Sequence, residues 1–413
     1  MPQASFFKGD VHKNPSPLWM HNRVQTASLN KLLLRELLFY LAFIAFILKY
    51  TLDVTALLDR INILNSALVS ICIACSVAKI LLQRYTLLRL VASIIICIVI
   101  GLSCMRSTNY YFLLGFLLVM GMQDISLERV IRFSFIAKII SIGIHILIYI
   151  PVYFLNPESI SFVFRGGDTM VPRHFFFMGH ANTFSAYVIW TCFDYIFLNY
   201  KNLNIWRFVI IWVISLVFYS FTYTNTSLIV LTIASVFIAL DKWSRINPDK
   251  LLTFLAKYIY AFCAVFFPYL VAVYTRLGTM HREMWHNLDD LLTGRLWLGA
   301  YAYYRHGMTF FGRPDIRSEI AYWEGRWFDT MTIFDNHYIG NYVSYGIINS
   351  ILVALVIIVI AGRMEIREKI MIISFSYYCI MDVQAMTVVI CSAPFIIGKY
   401  LYVTGRTRTS LIL

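Results

Sequence analysis

The sequence predicts an all-α polytopic integral membrane protein of about twelve transmembrane helices. Of its 413 residues, 60% are hydrophobic and only 14% are charged, whereas about a quarter of a soluble domain is charged. Apolar stretches of about 18 residues or more recur along the chain, each long enough to cross a hydrocarbon core. Most basic residues sit in the short connectors between these stretches. Segments of alternating polar and apolar residues are lacking, which argues against an outer-membrane barrel.

Residues 1–35 read as a cytoplasmic tail carrying Lys8, Lys13 and Arg23. The charged region is long and no small-residue cleavage site follows it, so the first span acts as an uncleaved anchor. Residues 36–413 form a single transmembrane domain, with spans expected near 36–56, 61–82, 88–105, 109–122, 131–155, 182–200, 206–223, 226–241, 251–274, 338–361, 369–383 and 385–402. This threading puts both termini in the cytoplasm. It also gathers Arg84, Arg129, Lys201, Lys242, Arg363 and Arg406 on that side, as the positive-inside rule requires.

The run 369–404 is nearly continuous and is broken only by Asp382-Val383-Gln384. An aspartate at mid-membrane costs about 2.5–3.5 kcal/mol on insertion scales, so the break reads as a tight external hairpin rather than the middle of one long helix. The threading leaves two sizeable external loops, 156–181 and 275–337. Within the second, residues 285–304 have amphipathic spacing, with Leu288, Leu292, Trp297, Tyr301 and Tyr304 available to lie along the membrane surface. Gly294 interrupts this segment, so one helix or two shorter pieces are both open.

Several function classes drop out. The net charge of +13 resides in connectors and forms no contiguous basic surface, which excludes nucleic acid as a partner. All eight cysteines fall inside expected spans, so no disulfide framework is implied. Cys72 and Cys75 are two residues apart within an apolar helix and read as core packing rather than a metal site. Lys49, Lys79, Lys138 and His145 lie within spans. Lys49 and Lys79 are placed to snorkel, while Lys138 and His145, seven apart on one helical face, are expected to pair across the bundle. A transporter, the strongest rival class, concentrates polar groups near the midplane. Here they concentrate at one face.

That face carries eleven arginines and no lysine, and six of the nine histidines. A guanidinium grips phosphate or carboxylate through two points, which a lysine cannot do. Histidine suits proton transfer near neutral pH. Local ion pairing is the competing explanation, because loop 275–337 holds eight acids against seven arginines. A zinc site on His281 and His286 is disfavoured by their spacing and by the lack of a partner cysteine, so neither a metal nor any other cofactor is expected.

Two segments stand out. Arg165 to Asn182, RGGDTMVPRHFFFMGHAN, ends where the sixth span begins; Thr293-Gly294-Arg295 is followed forty residues later by Asp335-Asn336-His337-Tyr338 and then Tyr345-Gly346-Ile347-Ile348. In these parts the chain resembles the Wzy-type polysaccharide polymerases and their relatives, the O-antigen ligases. That family shows an arginine, a Gly-x-His-Pro-Asn-like element entering a helix, then a large external loop that closes with an Asp/His-Asn-x-Tyr element. The resemblance covers roughly residues 165–350. Ala181 stands where the family has proline, Leu228 follows Ser227 where relatives often carry arginine, and the turn before the closing element is reduced to Phe311-Gly312-Arg313-Pro314.

The resemblance implies a GT-C-like glycosyltransferase of the bacterial inner membrane that polymerises undecaprenyl-diphosphate-linked oligosaccharides into capsule, exopolysaccharide or O-antigen on the outer face. It further implies work beside a flippase and a chain-length regulator. The chemistry requires charge on the departing diphosphate and removal of a hydroxyl proton. Arg173, Arg295, Arg165 and Arg276 are the candidates for the diphosphate, and His337, His180 and Asp335 for the base. Asn182, Asn336 and Tyr338 are expected to orient these groups or bind glycan, with helix capping the plain alternative for the two asparagines. A lipid-linked oligosaccharide flippase and an O-antigen-type ligase are the alternatives carried forward.

Overall fold

In the computed structural model the described residues are 18–55, 62–107, 110–160, 163–165, 171–277, 282–292, 294–313, 320–323, 326–329, 336–382 and 386–403. The first half of the bundle consists of α1 (Leu18–Val54), α2 (Asn62–Leu81), α3 (Leu87–Ser107), α4 (Tyr111–Met120), α5 (Leu127–Leu155), α6 (Ala181–Asn199) and α7 (Ile205–Thr222). The second consists of α8 (Asn225–Lys242), α9 (Asp249–Leu277), α10 (Arg282–Leu291), α11 (Arg295–His306), α12 (His337–Ser344), α13 (Ile347–Ile360), α14 (Ile366–Met381) and α15 (Ala393–Gly398). Among the described residues, α2, α3, α5, α7, α8 and α9 are long and apolar enough to cross a membrane. They turn large apolar side chains outward, such as Leu88, Leu147 and Phe154, as a lipid-facing surface does. The protein is an all-α membrane protein.

Two short antiparallel ribbons accompany the helices. β1 (Val163–Arg165) pairs with β2 (Val171–Arg173) between α5 and α6, and β3 (Ile320–Trp323) pairs with β4 (Arg326–Asp329) between α11 and α12. Local chemistry sets many helix ends. Ser126 and Asn204 accept the backbone N–H groups of Arg129 and Arg207 to start α5 and α7, and Glu365 with Glu368 forms a capping box at the start of α14.

The connectors' charges gather at one end of the bundle. There Arg129 meets Glu36 at 2.8 Å, Arg367 meets Glu128 at 2.6 Å, and Lys369 meets Asp249 at 2.6 Å. Lys399, just past α15, returns to this end and reaches Glu368 at 2.6 Å. α14 and the α15 segment therefore form an antiparallel hairpin, as the break at Asp382 suggested. The arms are short, however. At about 1.5 Å per residue, the sixteen residues of α14 rise about 24 Å, less than the hydrocarbon core. Asp382, just past α14, is 6% exposed and so packs against protein, and residues 383–385 of the break lie outside the described residues.

Other segments also differ from expectation. The expected span 338–361 is divided by Gly346 into α12 and α13. The amphipathic segment is two helices about Gly294, whose φ is +81°. Trp297 and Tyr301 are buried, and the Leu296–Tyr301 face of α11 packs with Val271 of α9 and Ile339 of α12, leaving Tyr304 exposed. The apolar face of α11 thus finds the bundle rather than the membrane surface.

Aromatic rings fill the centre. Phe43 of α1 meets Phe133 of α5 at 5.4 Å and Phe395 of α15 at 5.3 Å. Cys72 is buried in this same core. The two polar residues that stood out on α5 are both partnered: His145 bonds Ser141 O and Thr55, and Lys138 pairs with Asp194 of α6 at 2.8 Å. Ser392 Oγ lies 3.1 Å from both Asp194 and Ser134, tying the start of α15 to α5 and α6.

Because both charges are fully buried, removing one leaves the other uncompensated. Asp194→Ala is expected to lower stability by about 3–5 kcal/mol, read as the unfolding midpoint of the detergent-solubilised protein. Combining Lys138→Met with Asp194→Leu is expected to recover most of that loss.

Candidate functional site

The first motif segment converges on Arg173. Its Nε donates to Thr222 O at the end of α7 (2.8 Å), and its Nη2 donates to Asn182 Oδ1 of α6 (2.7 Å) and Thr224 Oγ1 before α8 (2.8 Å). One planar fork therefore joins the ends of three helices, a geometry unavailable to lysine. The ribbon register places Arg173 opposite Val163 and Arg165 opposite Val171, so Arg165 is two residues along the neighbouring strand from Arg173.

The chain between Arg173 and α6 is tightly bent. Phe176 and Phe177 both adopt positive φ, as does Gly179. Such conformations in bulky residues cost energy and persist only when their surroundings impose them. Here Phe176 stacks on Phe184 at 4.2 Å and contacts Tyr149 at 4.7 Å. A side chain at Gly179 would come within 2.8 Å of Val54 O. This bend delivers His180 to the N-cap of α6, where its Nδ1 accepts the Asn182 N–H at 3.1 Å.

That bond has a chemical consequence. With Nδ1 acting as acceptor, the neutral ring carries its hydrogen on Nε2. Burial, reinforced by the nearby Arg173 charge, pushes the His180 pKa down to about 4. In this arrangement His180 is a neutral hydrogen-bond donor at Nε2 rather than an open base.

The second segment is organised around α11. Asp289 Oδ1 accepts the Trp297 N–H at 3.0 Å and caps α11 from α10. Arg295, at the first turn, is 8% exposed and donates to Leu292 O (3.1 Å) and to Met381 O at the end of α14 (2.8 Å). Farther along, Asn336 caps α12 by accepting the Ile339 N–H. His337 is 2% exposed, with Nε2 at 3.2 Å from the Tyr260 hydroxyl of α9. Tyr338 is fully buried and donates to Ser376 O at 2.8 Å. The Tyr345-Gly346 step docks on the Phe311-Gly312 turn, with Ile347 N donating to Thr309 O at 2.8 Å. A side chain on either glycine would overlap the opposing backbone, at Ser344 for Gly312 and at Phe310 for Gly346.

Of the residues singled out from sequence, Arg173, His180 and Asn182 share one hydrogen-bonded network. Arg295 belongs with the end of α14, and Asn336, His337 and Tyr338 with the packed wall between α9 and α14. Arg276 is exposed in the last turn of α9. Asp335 and Thr293 lie outside the described residues, as does the side chain of Arg165. Sequence reasoning did not single out Thr222, Thr224, Tyr260 and Met381 as partners. The polar run Thr222-Tyr223-Thr224-Asn225-Thr226 between two spans was the available signal for the first two; backbone acceptors such as Met381 O have none. Among the described residues no three His, Cys, Asp or Glu side chains are grouped to hold a metal ion.

The depressed His180 pKa links stability to pH. The unfolded chain, with a histidine pKa near 6.5, binds more protons than the folded one between pH 6.5 and about 4. Stability is therefore fully present above the upper limit and falls as pH drops through this window. His180→Asn keeps an N-cap acceptor without the titration, and it is expected to flatten the pH dependence of the melting temperature over that interval. Comparisons of this chain with protein-family models, curated sequences and solved structures give no match.

Proposed function

We propose that this protein polymerises undecaprenyl-diphosphate-linked oligosaccharides on the outer face of a bacterial inner membrane, by glycosyl transfer without a metal. The observation that carries the reading is the Arg173 network. An arginine fork, a neutral histidine donor and an asparagine amide meet where three helices end, a donor set suited to a departing diphosphate. In the twelve-span arrangement with cytoplasmic termini, the ion-paired end of the bundle faces the cytoplasm and the Arg173 end faces outward. Positive-inside charge supports this orientation.

In the proposed reaction an acceptor sugar hydroxyl attacks the anomeric carbon, and the bond to the lipid diphosphate breaks with its electron pair on phosphate oxygen. Arg173 binds the diphosphate, with Arg295, Arg165 and Arg276 as further candidates. His180 Nε2 donates to the same charge, and Asn182 holds the Arg173 fork in position. The hydroxyl proton goes to a base, for which His337 and Asp335 are the candidates in the closing element. Glycan occupies the aromatic-rich region 275–337. A flippase and an O-antigen-type ligase remain the competing assignments. The pairing of Lys138 with Asp194 and of His145 with Thr55 leaves α5 without the partnerless midplane charge that would favour a transporter.

The test uses purified full-length protein in nanodiscs, the lipid-diphosphate repeat unit, and no added metal. A ladder of growing glycans is expected, with Arg173→Ala slowing it by roughly 10²–10³-fold, the usual effect of deleting a donor to developing negative charge. Lipid-linked sugar that crosses a proteoliposome bilayer unchanged would replace this reading with a flippase, and a single transfer to a lipid acceptor would replace it with a ligase.

A further inference from the structure

The turn between α7 and α8 holds Arg173 through two of its residues. Thr222 O accepts from Nε and Thr224 Oγ1 accepts from Nη2, each at 2.8 Å. Between these threonines stands Tyr223, which ends α7 in the left-handed region at φ 47° and ψ 37°. Glycine closes a helix in that conformation without strain. A bulky aromatic residue held there instead points to a task beyond making the turn.

The strained residue fixes an aromatic ring in the turn that binds the guanidinium. Tyr219, one turn back along α7, sets its ring 6.0 Å from that of Tyr223, tilted by 54°. The Tyr219 hydroxyl donates to Asn225 Oδ1 at 3.0 Å. With that oxygen engaged, Asn225 still offers its amide N–H groups to a ligand. Unlike the packed aromatic centre of the bundle, this group is open. Tyr219, Tyr223 and Arg173 are half-buried, and Ser220 and Asn225 are exposed, so a ligand reaches the cluster from the surface.

Two rings, a phenol group and an amide beside an arginine fork match a sugar joined to diphosphate. The C–H faces of a sugar ring stack on tyrosine, its hydroxyl groups bond to phenol and amide, and the diphosphate meets the guanidinium. We infer that Tyr219, Tyr223 and Asn225 form the subsite for the sugar attached directly to the lipid diphosphate. The inference rests on the polymerase reading and adds to it a donor-sugar contact from the α7–α8 turn, outside the region 275–337. Because the same turn grips Arg173, sugar and diphosphate are recognised as one unit.

The experiment uses full-length protein in nanodiscs and compares equilibrium binding of two probes. One is undecaprenyl diphosphate; the other carries in addition only the first sugar of the repeat unit. Wild-type protein is expected to prefer the sugar-bearing lipid by about tenfold, the scale of one or two aromatic contacts. Tyr223→Gly is expected to lose most of that preference and to keep its affinity for the bare lipid. Its melting temperature is expected to stay close to wild type, because relief of the left-handed strain offsets the lost ring contact. Tyr223→Phe, which keeps the ring, is expected to retain most of the preference.

A folded Tyr223→Gly protein that keeps the sugar preference, or wild-type protein that binds both lipids equally, would overturn the inference. If wild-type protein still builds a glycan ladder, the polymerase reading survives that result; a wild-type protein that builds none overturns both. Should Tyr223→Gly not fold, Tyr219→Leu, which removes the neighbouring ring but keeps an apolar side chain, decides on the same criterion. A lowered melting temperature with the sugar preference unchanged marks tyrosines that only anchor at a membrane interface, and it too overturns the inference.

Discussion

A helix that ends inside or beside a bilayer leaves carbonyl groups that hydrocarbon cannot satisfy, and in this protein arginine side chains answer many of them. Arg173 holds the end of α7, Arg295 the end of α14, and Arg207 bonds Asn202 O between α6 and α7. Arg35 reaches Leu82 O just beyond α2. The broken and short helices that make the bundle irregular depend on these contacts. A guanidinium has five N–H donors in a fixed fork, so one side chain can hold a helix end while presenting positive charge to a ligand.

This double use bears on how the site is built. Arg173 is fixed by Thr222, Asn182 and Thr224, so in the proposed reaction it would need little reorganisation as negative charge develops nearby. The strained Phe176-Phe177 bend contributes to the same rigidity by forcing the chain into the N-terminus of α6. On the far side, Lys138, Asp194 and Ser392 anchor the beginning of α15. The chain on either side of the break after Asp382 is thereby held, by Arg295 at Met381 and by the buried ion pair at Ser392.

Much of the architecture was legible from local pattern. Apolar runs marked the long helices because hydrocarbon demands uninterrupted apolar length. Asp382 marked a hairpin because a charge is expensive there, and the return of Lys399 to Glu368 shows that hairpin directly. Gly294 left one helix or two pieces open, and the structure takes the break there, at a positive φ that glycine adopts readily. The burial of Asp382 was not legible, since it depends on which side chains pack around the end of α14. Nor was the inward turn of Trp297 and Tyr301, because an amphipathic face meets either lipid or protein with the same residue pattern.

The sequence by itself determined the membrane-embedded helical character of the chain and the positions of most helix breaks. These follow from hydropathy, charge and backbone preference, all of which act over a few residues. Only the tertiary structure decided that Arg173 joins three helix ends, that His180 spends its Nδ1 on a cap, and that Arg295 meets the helix that carries Asp382. Those contacts bring together residues up to 86 positions apart, and no local preference encodes which carbonyl a guanidinium will find once the helices have packed.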